Sequence, residues 1–271
     1  MYAEEPFEPK LVAHYLWEHN QLEAIKNPIC IIGVPDLSNL GQECINYLIT
    51  ELKAEKIAIF YCSDFPPISY IEKNSYTLDL TKIEFYLVQN FKDQKNLLLI
   101  TGTDTPKSPI GLNYLAEKIV EFIIPMGPEV LIALATFPSR HPTHARQVFL
   151  TVTSDELLPL FKIDKKTTHK TELGLQLLQK GIVLGLNSLV VAYAKEFHNL
   201  LGGILLAETE KSETTDLIAV KALLNVISTV FELPISLVSL NSNIKTFLKE
   251  KSTPSSRLEN ILKDVRKRIQ N

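Results

Sequence analysis

The stretch IIGVPDLSNLGQECINYLI, residues 31–49, decides the fold of this chain. It begins as an apolar run, turns polar at Pro35 and Asp36, and continues with apolar residues at helical spacing. Ser38 or Asn39 can cap that helix. A buried strand that leads through a short polar turn into a helix is typical of α/β proteins, which often hold a phosphate or a nucleotide there.

This turn does not match a nucleotide-binding loop. The residues between Gly33 and Gly41 fit neither GxGxxG nor GxxxxGK[ST]. Pro35 lacks an amide donor, and Asp36 places a negative charge where a phosphate would sit. The sequence therefore predicts a strand-to-helix connector held by Asn39 and Gly41, with no phosphate bound.

The alternation of strands and helices continues along the chain. After the strand at 28–34, apolar runs predict strands at 56–62, 96–102, 129–137, 146–154 and 202–210, with short antiparallel strands near 68–71 and 76–88. Ser108 and Pro109 start a helix that runs to about Ile124, and another helix spans about Thr214 to Phe231. Residues 180–199 repeat the opening pattern of short strand, turn and helix. Such alternation predicts one three-layer α/β domain with a largely parallel sheet.

The boundaries of that domain follow from where the alternation stops. We assign residues 1–27 to an N-terminal extension, 28–240 to the α/β domain and 241–271 to a C-terminal helical tail. Residues 155–180 fit the pattern least and are interpreted as an excursion from the sheet. The tail helix can dock on its own domain or join a partner through one apolar face, formed by Leu258, Ile261, Leu262, Val265 and Ile269.

Composition narrows the classes of function. Of 271 residues, 45% are hydrophobic and 22% charged, and a net charge of −3 does not indicate a nucleic-acid partner. No apolar run approaches the length of a membrane span, and the start MYAEEPFEPK is unlike a signal peptide, so we predict a cytoplasmic protein. The three cysteines form no CxxC pair and are interpreted as buried, reduced thiols. No cofactor is predicted.

Polar residues follow several predicted strands, at the edge where open α/β sheets bind ligands. The crevice candidates are Asp36, Asp64, Asp104, Lys107, Glu208 and Asp216. Glu208 and Asp216 could do acid–base chemistry, but capping of the helix near Thr214 is the favoured interpretation. His141 and His144 lie in RHPTH, where Pro142 argues for a loop and against a metal site. No catalytic constellation is visible.

Two segments resemble the proteasome assembly chaperone family. The first runs from the strand at 28–34 to a phenylalanine–proline pair, with matching residues Gly33, Pro35, Asn39, Gly41, Leu52, Ala54, Glu55, Phe65, Pro66 and Pro67. The second pairs a glycine–leucine turn with a strand that ends in glutamate–threonine, matched by Gly185, Leu186, Glu208, Thr209 and Asp216. Together they span residues 28 to about 231.

The resemblance implies a phosphorylase-like α/β fold, homo-oligomers and no established catalysis. Some members of that family dock on the proteasome through a C-terminal hydrophobic–tyrosine–any-residue tail. This chain ends Ile269-Gln270-Asn271, so docking through such a tail is not expected. It also carries Asn187 and Ser188 where many members have proline-glycine.

Two functional hypotheses remain open from the sequence. The first is a non-enzymatic, homo-oligomeric module that binds proteasome subunits or assembly intermediates. The second is a small-ligand-binding protein or enzyme that uses the crevice at the carboxyl ends of the strands. The first follows from the resemblance, and the second rests on fold analogy alone.

Overall fold

The computed structural model describes residues 8–71, 76–92, 95–163, 173–209 and 215–252. The chain divides into two compact units, one that ends at Ile235 and one that begins at Ser236. The second unit contains a single described helix, α6 (Val238–Ser252). The five apolar residues of the predicted C-terminal stripe, 258–269, lie outside the described residues.

The first unit contains eleven described strands and five described α-helices. In chain order they are β1 (Leu11–Tyr15), α1 (His19–Ala24), β2 (Ile29–Ile32), α2 (Leu40–Leu52), β3 (Glu55–Cys62), β4 (Ser69–Ile71), β5 (Leu78–Leu80), β6 (Ile83–Lys92), β7 (Lys95–Gly102), α3 (Pro109–Ile123), β8 (Val130–Pro138), β9 (Val148–Val152), β10 (Leu175–Leu177), α4 (Leu186–His198), β11 (Gly202–Thr209) and α5 (Leu217–Phe231). Short 3₁₀ helices occupy Ile124–Met126 and Asp155–Phe161.

Nine strands form one sheet in the order β1-β3-β6-β7-β2-β8-β11-β9-β10, and β4 and β5 form a separate hairpin. The centre, β7-β2-β8-β11, is parallel. On one flank β1, β3, β6 and β7 pair antiparallel; on the other, β9 runs antiparallel to β11 and β10 runs parallel to β9. The predicted α/β class is confirmed, and the sheet is mixed because antiparallel strands extend its parallel centre.

Helices cover the two faces of the sheet in pairs. Helix α2 contacts α5, and α3 contacts α4. The connection through α2 leads from β2 toward the β1 edge, whereas the connection through α3 leads from β7 toward the β10 edge. Right-handed crossovers in opposite directions place their helices on opposite faces, which produces the three layers. The core between the sheet and α3/α4 includes fully buried Cys30, Ile32, Leu98, Ile119 and Val190.

The structure differs from two of the sequence-based assignments. Residues 1–27, set apart as an extension, contribute α1 and strand β1, which pairs with β3 from Leu11↔Cys62 to Tyr15↔Ala58. The strand reads LVAHY, five residues without apolar–polar alternation, which is too short an apolar run to predict a strand. The strand predicted at the start of 180–199 is wrong, since residues 181–184 form no strand, and Ile182 and Leu184 are 88% and 83% exposed.

Other features agree with expectation. Ser108 caps α3, with its side chain accepting a hydrogen bond from the Gly111 amide. All three cysteines are buried and unpaired. Burial raises the pKa of the Cys30 thiol and, together with nearby carboxylates, that of Cys44, so both are held as neutral thiols. Within the described residues, no helix is long and apolar enough to cross a membrane.

Candidate functional site

A cavity of ≈ 960 Å³ opens at the carboxyl edge of the sheet. Strands β2, β3, β7, β8 and β11 all end at this edge, because they are parallel to one another in the sheet. The walls come from the turn after β2 with the start of α2, the loop after β7, the end of β8, and residues 178–187 before and within the start of α4. Tyr70 of β4 and Leu206 of β11 complete the lining. Both segments that carry the family resemblance therefore reach the same cavity.

The side chain of Asp36 ties the first turn to strand β8. One carboxylate oxygen accepts a hydrogen bond from the Thr136 amide at 2.7 Å, and the other accepts from the Thr136 hydroxyl at 2.8 Å and the Ser38 amide at 3.2 Å. Asn39 accepts from the Asp36 amide at 3.2 Å. Asn39 occupies the N-cap position of α2 with φ of 54°, but its side chain bonds back into the turn and does not cap the helix. The polar side chains of Asp36 and Asn39 are thus bonded within the turn and to β8, as expected of a strand-to-helix connector.

Two glycines let α2 approach the sheet more closely than any other residue would. A Cβ at Gly33 would lie 2.3 Å from the Gly41 carbonyl oxygen, and one at Gly41 would lie 2.2 Å from the Leu134 carbonyl oxygen. Both contacts are with backbone, which cannot move without displacing the helix or β8. The first turn of α2 therefore packs directly against the backbone of β8 and of the turn after β2.

Asn187 joins the two signature segments directly. Its side-chain amide accepts a hydrogen bond from the Val34 amide at 3.0 Å and donates one to the Val34 carbonyl at 3.0 Å. Asn187 lies in the first turn of α4 and is only 3% exposed, and Val34 is fully buried. The Asn187 side chain therefore pairs with the backbone of Val34 through one donor and one acceptor, as a neighbouring strand would. Both polar backbone groups of the buried Val34 are satisfied in this way.

Asp64 connects the loop after β3 to the start of α3. One of its oxygens accepts hydrogen bonds from the Ser108 amide and hydroxyl, both at 2.9 Å, and Ser108 in turn caps the helix. Gly111 is required beside it, since a Cβ there would meet the Asp64 carboxylate at 1.9 Å. Asp64 therefore positions the capping residue of α3, and it does not line the cavity.

Asp104 lines the cavity next to Tyr70. Its carboxylate accepts hydrogen bonds from the Thr105 amide at 2.8 Å and from the Tyr70 hydroxyl at 3.4 Å, and lies 3.7 Å from the Lys107 ammonium. Burial, followed by the charge of Asp104, raises the pKa of the Tyr70 phenol. Lys107 itself is exposed and lies outside the cavity lining.

Glu208 holds the loop that follows β8. One oxygen accepts from the Thr143 amide at 2.8 Å, the Thr143 hydroxyl at 2.9 Å and the Gln147 amide at 3.3 Å. Burial by itself would raise the pKa of Glu208, but hydrogen bonds from Thr143, Ser139 and Gln147 to the charged form outweigh it and hold the pKa below its usual value. Glu208 is thus a buried carboxylate that is fully occupied by one loop.

Asp216 caps α5, as predicted, but the same interpretation is wrong for Glu208, whose hydrogen bonds go to the 139–147 loop. One oxygen accepts from the amides of Ile218 and Ala219, and the other accepts from the Arg146 guanidinium at 2.6 Å and the Thr209 hydroxyl at 3.2 Å. The negative charge at the start of the helix also suits its dipole. The glutamate–threonine–aspartate part of the family signature therefore fastens the 139–147 loop and α5 to the end of β11.

The predicted crevice is brought together only in part. Asp36, Asn39 and Asp104 line the cavity, whereas Asp64, Lys107, Glu208 and Asp216 do not. Sequence reasoning missed the partners that hold these groups, namely Thr136, Asn187, Ser139, Thr143 and Arg146. The segment RHPTH could have indicated one of these partners, because a polar loop next to a strand end supplies donors such as Thr143 to a buried carboxylate. His141 and His144 are exposed, and the described residues contain no cluster of three or more His, Cys, Asp or Glu that could hold a metal.

The lowered pKa of Glu208 predicts a specific acid sensitivity. A carboxyl group with a lower pKa when folded contributes stability above its unfolded pKa, near 4.3, and that stability is lost as pH falls through the folded pKa. We expect Glu208→Gln to be less stable than the parent at neutral pH, with the difference shrinking in acid. Urea unfolding followed by circular dichroism at several pH values measures this. Glu196→Gln, at an exposed position on α4, is the control, and an unchanged pH dependence in Glu208→Gln would contradict the assignment.

Comparison with known proteins assigns the chain to a family. The model of the PAC2 family matches residues 30–252, which is most of the chain. The chain belongs to the PAC2 family. A curated relative, the uncharacterised protein MJ1210 of Methanocaldococcus jannaschii, is 30% identical over 141 residues, covering 52% of this chain. The match spans about half of that protein's length, 53%.

Solved structures share the PAC2 fold over nearly the whole chain. Pyrococcus furiosus PbaB, described as an archaeal proteasome activator, matches with a TM-score of 0.76 and 24% identity, covering 94% of this chain and 98% of PbaB. Pyrococcus furiosus PbaA, described as an archaeal homologue of proteasome-assembly chaperone, matches with a TM-score of 0.69 and 19% identity, covering 95% and 96%. A PAC2 family protein from Streptomyces avermitilis matches with a TM-score of 0.65 and 13% identity, covering 86% and 99%. At these identities the likeness establishes the fold.

Proposed function

We propose that this protein is a non-enzymatic, homo-oligomeric binding module that binds proteasome subunits or their assembly intermediates. The observation that carries the proposal is membership of the PAC2 family together with structural likeness to PbaB and PbaA, whose descriptions name a proteasome activator and a proteasome-assembly chaperone homologue. The same likeness covers both signature segments, because the matches extend over more than nine-tenths of the chain.

The chemistry of the carboxyl edge supports binding over catalysis. Each acidic side chain of the predicted crevice bonds to donors of its own chain: Asp36 to Thr136, Asp64 to Ser108, Asp104 to Thr105, Glu208 to Thr143, and Asp216 to α5 and Arg146. A general acid or base must reach the proton that it transfers, in a suitable protonation state. The low pKa of Glu208 keeps it ionised and bonded at neutral pH, which suits a structural role.

Apolar side chains at the mouth of the cavity favour a protein partner. Leu37, Ile182 and Leu184 border the opening and are 65%, 88% and 83% exposed. Exposed apolar groups that cluster around a concave surface are typical of protein contacts. The same edge offers the polar groups of Asn39, Gln42 and Thr105 as a rim.

Native mass spectrometry of this protein mixed with separately prepared proteasome α- and β-subunits tests the proposal. We expect a complex of defined stoichiometry with α-subunits, and weakening of that complex in the Ile182→Ser, Leu184→Ser double variant. Phe197→Ser is the matched control, since Phe197 is also exposed but lies at the opposite end of α4. A protein that binds neither subunit would overturn the proposed partner and leave the fold assignment intact.

The volume of the cavity supports a second candidate function, the binding of a small ligand. At ≈ 960 Å³ it lies at the upper end of the usual range for small-molecule sites, about 300–1,000 Å³. A ligand present at 100 times its dissociation constant stabilises the native state by about 2.7 kcal/mol. Thermal-shift measurements with nucleosides, nucleotides and inorganic phosphate therefore decide this candidate. The binding-module proposal predicts no rise in melting temperature, and a clear rise would favour the ligand.

A further inference from the structure

Strand β1 lies at one edge of the sheet, and among the residues that the structure describes it pairs on one side only. The Lys10 carbonyl accepts from the Ser63 amide, and the Leu16 amide donates to the Ile57 carbonyl, both at 2.9 Å. Even-numbered residues of this segment thus face β3, and because the amide and carbonyl directions alternate along a strand, odd-numbered residues face away. The backbone groups of Leu11, Ala13 and Tyr15 point outward and have no hydrogen-bond partner among the described residues.

This edge lacks the features that usually protect a sheet edge. The strand LVAHY contains no proline, no lysine and no glutamate, and its pairing with β3 runs without a bulge. Exposed edges without such features pair readily with another strand. The opposite edge of the sheet is different, because β10 consists of only three residues, Leu175–Leu177.

The hydrogen-bonding pattern of β1 is complementary to itself. A twofold axis perpendicular to the sheet, passing just outside β1 beside Ala13, places Ala13 opposite Ala13 of a second copy and Leu11 opposite Tyr15. All three are outward-facing residues, so each copy offers three donors and three acceptors, and six backbone hydrogen bonds form in all. The register keeps the faces of both sheets aligned, because opposite residues have the same parity.

The side chains around the axis also suit a second copy. Ala13 is small, so two chains can approach at the axis. Val12, Tyr15 and Leu16 are large apolar residues that are 55%, 57% and 54% exposed. Tyr15 is already positioned by stacking on Phe122 at 6.0 Å between ring centroids. Pairing of the edges removes part of this apolar surface from water, which favours association.

We propose that two copies of this protein associate through β1, antiparallel and centred on Ala13, so that two nine-stranded sheets join into one of eighteen strands. The interface is isologous, and the same patch serves both copies. This association does not depend on the proposed proteasome binding, and it is measured with the purified protein alone. It rests on the homo-oligomeric part of the proposed function: a monomeric parent protein would overturn both, whereas an oligomer that forms without β1 would overturn this interface alone.

Ala13→Pro tests the register without removing a hydrogen bond of the chain's own sheet. The Ala13 amide faces away from β3, and proline is tolerated on an edge strand when its missing N–H points to solvent. We expect the dissociation constant of the dimer to rise roughly tenfold or more, since two intermolecular bonds at the axis are lost. Sedimentation velocity measures the dimer and circular dichroism confirms folding. Ala13→Ser keeps the amide and is the control.

A cross-link provides a second test that does not depend on tolerance of proline. The three native cysteines are buried, so Ala13→Cys introduces the reactive thiol. A short bismaleimide is expected to join two Ala13→Cys chains into a covalent dimer, and to leave Ala192→Cys, exposed on α4, largely monomeric. A parent protein that is monomeric by sedimentation, a folded Ala13→Pro variant that dimerises as the parent does, or cross-linking no faster at position 13 than at 192 would each overturn the proposal.

Discussion

Asn187→Leu is expected to lower the free energy of unfolding by roughly 3 kcal/mol. Leucine has a similar volume but no polar atoms, so it leaves both the amide and the carbonyl of Val34 without their partners at 3.0 Å. An unsatisfied buried polar group costs about 1–3 kcal/mol, and two are created here, both on the fully buried Val34. The effect should reach the cavity as well, because this bond joins its two signature segments.

Urea unfolding of the purified variant measures this loss. Asn113→Ala is the matched control: its amide also donates to a backbone carbonyl, that of Pro109 at 2.8 Å, but it lies exposed on α3. Such an exposed substitution should change stability by less than about 0.5 kcal/mol. Equal stability of Asn187→Leu and Asn113→Ala would show that the Asn187 amide does not hold the turn.

Gly41→Ala is expected to destabilise the protein by about 3 kcal/mol, although alanine is the better helix former. The added methyl would lie 2.2 Å from the Leu134 carbonyl oxygen, so α2 or β8 must shift. Overpacking in a close-packed region costs about 1–3 kcal/mol and sometimes more. The gain in helix propensity, about 1 kcal/mol, offsets only part of this. The steric cost therefore exceeds the gain in helix propensity, and the net change in stability is a loss.

Gly203→Ala is the comparison for this substitution. Gly203 lies in the buried strand β11, and a Cβ there would be 3.3 Å from its nearest neighbour, the Thr151 carbonyl oxygen. A shift of a few tenths of an ångström accommodates that contact, so we expect a change within about 1 kcal/mol. Thermal and urea unfolding of both variants measure the difference. Gly41→Ala at or above parental stability would refute the close approach of α2 to β8.

Local signals were sufficient for most of the elements. Strands β2, β7, β8 and β11 are continuous apolar runs, as expected of strands buried on both faces, and each was predicted from its sequence. Capping of α3 by Ser108 followed from the Ser-Pro pair. Strand β1 was missed because LVAHY is short and does not alternate, and a strand was wrongly predicted at 181–184 because apolar residues there are exposed and not buried in the sheet.

The polar contacts of the site could not be predicted in the same way. Asp36 and Thr136 are 100 positions apart, and Val34 and Asn187 are 153 apart. Whether such pairs meet depends on the order of strands in the sheet, which no short pattern specifies. For the same reason the sequence grouped Glu208 and Asp216 with the cavity residues, although they face the 139–147 loop and α5.

The sequence by itself determined the α/β class, most strands and helices, and the resemblance to one family, because each depends on residues close together in the chain or on motifs in a fixed order. Only the tertiary structure decided which carboxylates line the cavity, which ones hold loops in place, and which backbone groups of β1 have no partner among the described residues. Those properties depend on distances between segments far apart in sequence, and the packing of the sheet sets these distances.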